Sequence, residues 1–343
     1  MKNKTIIFGL LLTLFFSCNN TKSNTMDNEY EWRVSVNAPK NFPATIYYAA
    51  LGGVDVRRDG TINSGWGTSG SSSDGVKTLP KTLDIIWLSY IENQFYKGNF
   101  ELDQEKIKAI FDEGFKDNYG EDIVTYHDFS FVINVAPGGT VALFMKGLGN
   151  FQLEVGFFKA EKTDIKWKDF VPMGLQDREK YVKGRLERNM NKDSLAYYKT
   201  NGIPFKRWGN YREYFNFKTI MPVDYKVAYL AYNCFNGERF YGENRAYHIN
   251  ETYNSLPIPK KITLNWLEED NDEYIYGVVL KLKESEYTKM STFFKNNSNK
   301  AAFYIEPYIP VNVREIRLFL KSDTEKIEIE VLPYEVKRKL IKK

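Results

Sequence analysis

The chain has 343 residues, is 43% hydrophobic and 16% aromatic, and carries 48 basic against 44 acidic residues, a formal charge of +4. That near-balance excludes a strongly basic nucleic-acid footprint, and the apolar content excludes an intrinsically disordered chain. No segment is apolar over the roughly 20 residues needed to cross a bilayer as a helix.

The N-terminus reads as an export leader. Lys2 and Lys4 precede an apolar run from Ile6 to Phe16, and Leu14-Phe15-Phe16-Ser17-Cys18 places a small residue directly before a cysteine. This pattern resembles a bacterial lipoprotein signal, in which the cysteine thiol receives diacylglycerol and the leader is cut away; Phe16 stands where Ala or Ser is usual. The expectation is a signal peptide over 1–17, lipid attachment at Cys18, and a flexible tether over 18–29, where Asn19-Asn20-Thr21-Lys22-Ser23-Asn24 is polar and simple. Two or more acyl chains hold a protein stably where one binds only marginally. Asn19 rather than Asp after the cysteine points to an outer membrane, with the protein facing the periplasm or the cell surface. The competing reading is an ordinary secretory signal with an incidental cysteine. Without its first seventeen residues the chain is close to neutral, at +2. With Cys18 lipidated, Cys234 has no partner, and the protein relies on its core rather than on disulfides.

The expected fold class is α+β, predominantly antiparallel β, in two tandem units, each a meander-like sheet with one packed helix. The first unit spans 30–170. It opens with Trp32-Arg33-Val34-Ser35-Val36-Asn37-Ala38-Pro39, and Leu79-Pro80 leads into a β-rich run through Trp87. Leu102, Ile107, Ile110 and Phe111 fall near helical spacing, with Asp103 to cap and Gly114 to stop. Phe129, Phe131, Ile133 and Val135 then alternate with Ser130, Val132 and Asn134, which predicts one buried and one less buried face. Pro137-Gly138 suits the centre of a type II turn, with returning strands at Val141/Leu143/Met145 and Phe151/Leu153/Val155. A connecting helix and linker are expected over 171–213, the helix from Gln176 to Lys199 with Val182, Leu186 and Met190 four apart, ended before Gly202 and Pro204. The second unit, 214–336, repeats the order about 180 residues later: Phe215 to Pro222, Leu256-Pro257, a run through Trp266, a weaker helix near Ser285 to Phe294, and Ile327-Glu328-Ile329-Glu330-Val331. Residues 337–343 read as a basic, solvated tail.

The stretches Trp32 to Pro39, Leu79-Pro80 into Ile85-Ile86-Trp87-Leu88-Ser89-Tyr90-Ile91-Glu92, and Pro137-Gly138-Gly139-Thr140-Val141-Ala142-Leu143 resemble the domain of unknown function 2931 family, many of whose members are bacterial lipoproteins. Gly202-Ile203-Pro204-Phe205-Lys206-Arg207-Trp208-Gly209-Asn210-Tyr211-Arg212 is similar to longer members. The second copy departs from the pattern, with Ile309-Pro310-Val311-Asn312 in place of the Pro-Gly-Gly turn. The resemblance implies fold and location and carries over no catalytic residues.

Motifs with a chemical meaning are scarce. His127 and His248 stand in no metal-ligand spacing, no Gly-x-Ser-x-Gly elbow occurs, and Ser64 to Gly75 lacks the Lys-Ser/Thr ending of a phosphate-binding loop. That segment reads as a flexible surface loop whose Trp66 either contacts a ligand or folds back. Glu92 follows a hydrophobic strand, the setting in which burial raises a carboxyl pKa toward general-acid use. The acidic run Glu268-Glu269-Asp270-Asn271-Asp272 does not match a calcium loop. The candidate ligand contacts are Trp66, Glu92 and Trp208; no catalytic, metal or cofactor residue is assigned. The expected role is a non-catalytic binding or scaffolding protein held at the membrane through Cys18, with a protein or glycan partner and no nucleic acid. Alternatives are an immunity-type inhibitor of an envelope-targeting toxin and a carboxylate-dependent hydrolase.

Overall fold

The computed structural model describes residues 29–341 apart from 57–59, 71, 74–75, 120–121, 148–150, 172–176, 223, 243–251, 269–270, 298–299 and 309–314. The leader, Cys18, the tether, His248 and the Ile309–Asn312 turn lie outside the described residues. Among the described residues no helix is long and apolar enough to cross a membrane.

In the first half, β1 (Tyr30–Asn37), β2 (Ala44–Leu51), β3 (Thr82–Ser89) and β4 (Gln94–Glu101) lead into helix α1 (Gln104–Glu113). Strands β5 (Phe129–Ala136), β6 (Thr140–Lys146) and β7 (Gln152–Lys159) follow. The Asp103 carboxylate accepts from the Lys106 N–H at 2.9 Å and caps α1, while Gly114, at φ +65°, ends it. Between β5 and β6, Pro137 and Gly138 (φ 75°, ψ 17°) take the dihedrals of a type II turn at its second central residue.

The class is α+β with mostly antiparallel strands, but the meander is only one of two layers in this half. Strands β5, β6 and β7 pair antiparallel in one sheet, and β2, β3 and β4 in another. β1 joins the first sheet in parallel with β5, Trp32 opposite Phe129, so the chain must cross between layers directly after β1. Val34, Phe131 and Met145 of one sheet and Ile85 and Trp87 of the other share a core that Ile107 of α1 helps to close.

The linker is two helices rather than one, α2 (Arg178–Asn189) and α3 (Lys192–Asn201), followed by a single turn, α4 (Arg207–Asn210). Asn191 makes the break: its side-chain oxygen accepts from the N–H groups of Asp193 and Ser194 and starts a new helix. The arm lies on the first half, with Val182 against Leu88, Tyr90 and Phe95 and Tyr198 4.9 Å from Phe42, ring to ring.

The second half runs β8 (Tyr214–Ile220), β9 (Tyr225–Cys234), β10 (Arg239–Gly242), β11 (Pro259–Glu268), β12 (Asn271–Lys281), α5 (Glu286–Asn296), β13 (Lys300–Tyr308), β14 (Glu315–Lys321), β15 (Lys326–Glu328) and β16 (Lys337–Leu340). Its pairings follow the same succession: β8 lies parallel to β13, the β13–β14–β15 strands are antiparallel, and β9–β11–β12 form the second layer. Trp87 opposes and stacks on Tyr96 at 5.3 Å, and Trp266 does so on Tyr276 at 5.5 Å. A bulge follows Ile46 opposite Trp87, and another follows Val227 opposite Trp266. The residues read as a basic tail form strand β16 over Lys337–Leu340, which pairs with the β12 edge that would otherwise leave N–H and C=O groups open. The Arg338 guanidinium lies 3.5 Å above the Tyr274 ring.

The two halves share one sheet. β7 meets β10 at the pair Gln152↔Arg239, which joins the β1–β5–β6–β7 layer to the β10–β9–β11–β12–β16 layer. Because the cores are joined through paired backbone, Trp87→Ala and Trp266→Ala should each lower stability by roughly 3–5 kcal/mol, and both should shift one common urea transition; two separate transitions would show that the halves unfold independently.

Candidate functional site

The junction is clamped by the segment read as a flexible loop. Trp66 is 7% exposed, and its Nε1–H donates to the Asn236 carbonyl at 2.7 Å. The next carbonyl, that of Gly67, accepts from Gln152 Nε2 at 2.9 Å and from Arg239 Nη2 at 2.7 Å. The Gly67 N–H donates to Asn134 Oδ1 at 2.9 Å. Gly67 has φ +70°, and a Cβ there would stand 2.7 Å from the Gly237 Cα, so only glycine permits this approach. The loop also covers the face of β5 predicted to be less buried: Val132 and Asn134 are fully buried because Trp66, Trp208 and Phe144 close over that side.

A buried polar network extends from the junction. Glu238 accepts from the Glu154 N–H at 2.9 Å, from Asn236 Nδ2 at 2.9 Å and from the Tyr214 hydroxyl. The Glu154 side chain is 8% exposed and is held by Arg212 Nε at 2.7 Å. Burial, opposed by Arg212 and reinforced by Glu238, raises the Glu154 pKa to about 7. On the Tyr214 hydroxyl, burial and the Glu238 charge act together and push its pKa upward.

Beside the junction, α3 and α4 of the arm and α5 of the second half enclose a cleft of about 890 Å³. Tyr197, 58% exposed, stands at its rim. Arg207 Nε pairs with Glu284 at 2.9 Å and its Nη1 donates to the Tyr198 hydroxyl at 3.1 Å. The Tyr211 hydroxyl donates to Glu284 at 2.5 Å, and Lys295 pairs with Glu213 at 2.8 Å. Aromatic faces beside fixed charges and hydroxyls suit a polar, ring-bearing or peptidic ligand. Among the described residues no histidine or cysteine lines this cleft and no metal-binding cluster occurs.

The three sequence candidates separate. Trp66 and Trp208 come together, 5.9 Å between ring centroids, and both are buried in one aromatic cluster. Glu92 lies apart: its carboxylate accepts from the Gly138 N–H at 3.1 and 3.0 Å and from the Tyr96 hydroxyl at 2.6 Å, which fixes the Pro-Gly-Gly turn. All three have internal partners. The cleft is lined instead by neighbours of Trp208, namely Arg207 and Tyr211. The motif around Trp208 was visible in the sequence, but the side of the turn that faces the cleft was not. His127 Nδ1 lies 2.7 Å from the Phe111 carbonyl, a structural contact.

The family described as "Protein of unknown function (DUF2931)" matches residues 17–206. The chain belongs to this family. The match covers the first half and the arm through α3, and stops just before α4 and the second half. No curated protein and no solved structure matches the chain.

The network has a pH signature. A carboxyl whose folded pKa is raised stabilises the fold most below its ordinary value, 4.5, and that contribution is lost as pH rises through about 7. Urea unfolding of the wild type should therefore show stability falling by up to about 3 kcal/mol across this window, whereas Glu154→Gln should remove most of that slope. An equal slope in both proteins would remove Glu154 as its source.

Proposed function

We propose that this family member is a lipid-anchored envelope protein that binds a protein or glycan partner and is not an enzyme. The observation that carries the binding reading is the cleft between the arm and α5, where aromatic rims surround carboxylates already engaged: Glu284 by Arg207 and Tyr211, Glu213 by Lys295. A hydrolase needs a carboxyl free to exchange protons with substrate. Glu92 is tied to a turn, and Glu154, though raised in pKa, sits behind Arg212. The leader and Cys18 support the anchor, and a fused pair of layered units supports a rigid platform held beside a bilayer.

Metabolic labelling with a fatty acid should mark the wild type and not Cys18→Ser, and the variant should leave the membrane fraction; labelling that persists would remove the anchor at this position. For the cleft, Tyr197→Ala should lose envelope material that the wild type captures, while Tyr48→Ala, at an exposed tyrosine (41%) of β2, should retain it. Equal capture by both variants would place the binding surface elsewhere.

A further inference from the structure

The joined sheet carries a lateral row of cations that neither half makes alone. Residues directly opposite each other on neighbouring strands project to the same side of a sheet. The register links Arg33 to Ser130, Ser130 to Lys146, Lys146 to Gln152, Gln152 to Arg239, Arg239 to Asn233, Asn233 to Lys261, and Lys261 to Lys281. At about 4.8 Å per strand, this row runs roughly 34 Å across both halves. On the same side, Lys337 and Lys339 of β16 oppose Gly277 and Ile275. They flank a groove of about 700 Å³ whose floor includes Thr263, Asn265 and the 40%-exposed Val279.

The row is one-signed. Its other members, Ser130, Gln152 and Asn233, are neutral, and among the described residues no ion pair engages Lys146, Arg239, Lys261 or Lys281; only Arg33 has one, with Asp128. Lys146 reaches Ser69 Oγ at 3.3 Å, and one arm of Arg239 is held by the Gly67 carbonyl. The cations lower one another's affinity for protons, though burial is the larger cause: Arg239 acts on Lys146, and Arg239 with Lys281 on Lys261. The adjoining Lys260 is lowered to about 8, first by burial and then by Arg239. Uncompensated like charges on one face call for an external anion.

We propose that the part of this face left open by the loop docks on anionic lipid headgroups at the membrane surface, with Lys146, Lys261 and Lys281 as the central contacts; Arg239, held by the Gly67 carbonyl beside the fully buried Gln152, contributes only its charge. The form of the array favours a surface over a pocket ligand, because the cations lie about 5 to 10 Å apart along a line instead of converging on one point. Its position fits a bilayer near the anchor, since the tether enters the fold at Tyr30, three residues before Arg33 of the row. The proposal rests on the membrane-bound reading, and the test removes the lipid so that the two fail separately.

Residues 18–343 carrying Cys18→Ser contain all the contacts described above and bear no acyl chain. Cosedimentation with phosphatidylglycerol-containing vesicles, and not with pure phosphatidylcholine vesicles, is expected at low salt, and binding should fall as salt screens the charges. Each lysine near an anionic surface contributes about a fivefold gain in partition, so Lys146→Gln/Lys261→Gln/Lys281→Gln should bind about a hundredfold more weakly with a thermal midpoint no lower than the parent's, because the repulsion between Lys261 and Lys281 is removed. If that variant does not fold, the salt dependence and lipid selectivity of the parent protein decide the matter. Equal binding to both vesicle types, or a folded triple variant that binds like its parent, overturns the proposal. Binding to a soluble anionic polysaccharide with none to vesicles would assign the row to a glycan and overturn it as well. Fatty-acid labelling at Cys18 is read independently of every one of these outcomes.

Discussion

One backbone carbonyl holds the architecture together. At Gly67 the loop of the first half passes close enough to Gly237 of the second that no side chain fits, and its oxygen collects donors from Gln152 and Arg239, the two residues whose pairing joins the layers. A single strand pair is a weak joint by itself. Here the joint is reinforced by a buried indole whose N–H finds a carbonyl across the seam, and by Asn134 beneath it. Buried polar groups stabilise a structure only when their partners are in place, so the loop, the β7–β10 contact and the Glu238 network depend on one another. The cationic row crosses this seam, and the cleft lies beside it between the arm and the second half.

Local features were legible in the sequence where one short segment decides them. Asp103 marks the start of α1 through its side-chain cap and Gly114 the end through its positive φ, and Pro137-Gly138 sets its turn through fixed φ. The order of strands and the tryptophans at 87 and 266 were visible for the same reason. Layering was not. Whether β1 pairs with β2 or with β5 depends on contacts nearly a hundred residues apart, and alternation gives the same pattern in either case. The Gly-Trp-Gly segment read as an exposed loop because glycine and serine favour turns, yet the same glycines permit the close approach that buries Trp66. The terminal lysines read as a tail because their own pattern has no apolar face; the open edge of β12 recruits them regardless.

The extent of the family match is consistent with how the arm packs. Residues 17–206 include α2 and α3, and these helices bury Val182 and Met190 and stack Tyr198 on Phe42 of the first half. The first half with its arm is therefore a packed body in its own right. What lies beyond adds a second body that pairs its strands in the same order and repeats even the bulge beside the core tryptophan. In both halves the indole Nε1 of that tryptophan is buried without a hydrogen-bond partner among the described residues. A missing hydrogen bond of this kind costs on the order of 1–3 kcal/mol, and the stacked tyrosine, with the apolar area that the indole buries, offsets it.

Net charge conceals the arrangement that register creates. The acids along the seam and arm are drawn into local pairs: Glu154 with Arg212, Glu284 with Arg207, Glu213 with Lys295. Across the joined sheet the lateral register instead aligns cations, and like charges placed directly opposite, as at Lys261 and Lys281, destabilise a sheet. Neutral Gln152 and Asn233 separate the others by a strand, which weakens the repulsion without removing it. An antiparallel sheet has no stability reason to place unpaired cations in one line, since a one-residue change of sign at Lys281 would relieve the closest contact. The line exists only because the two halves are joined at Gln152 and Arg239; alone, the first half would carry Arg33 and Lys146 and the second Arg239, Lys261 and Lys281.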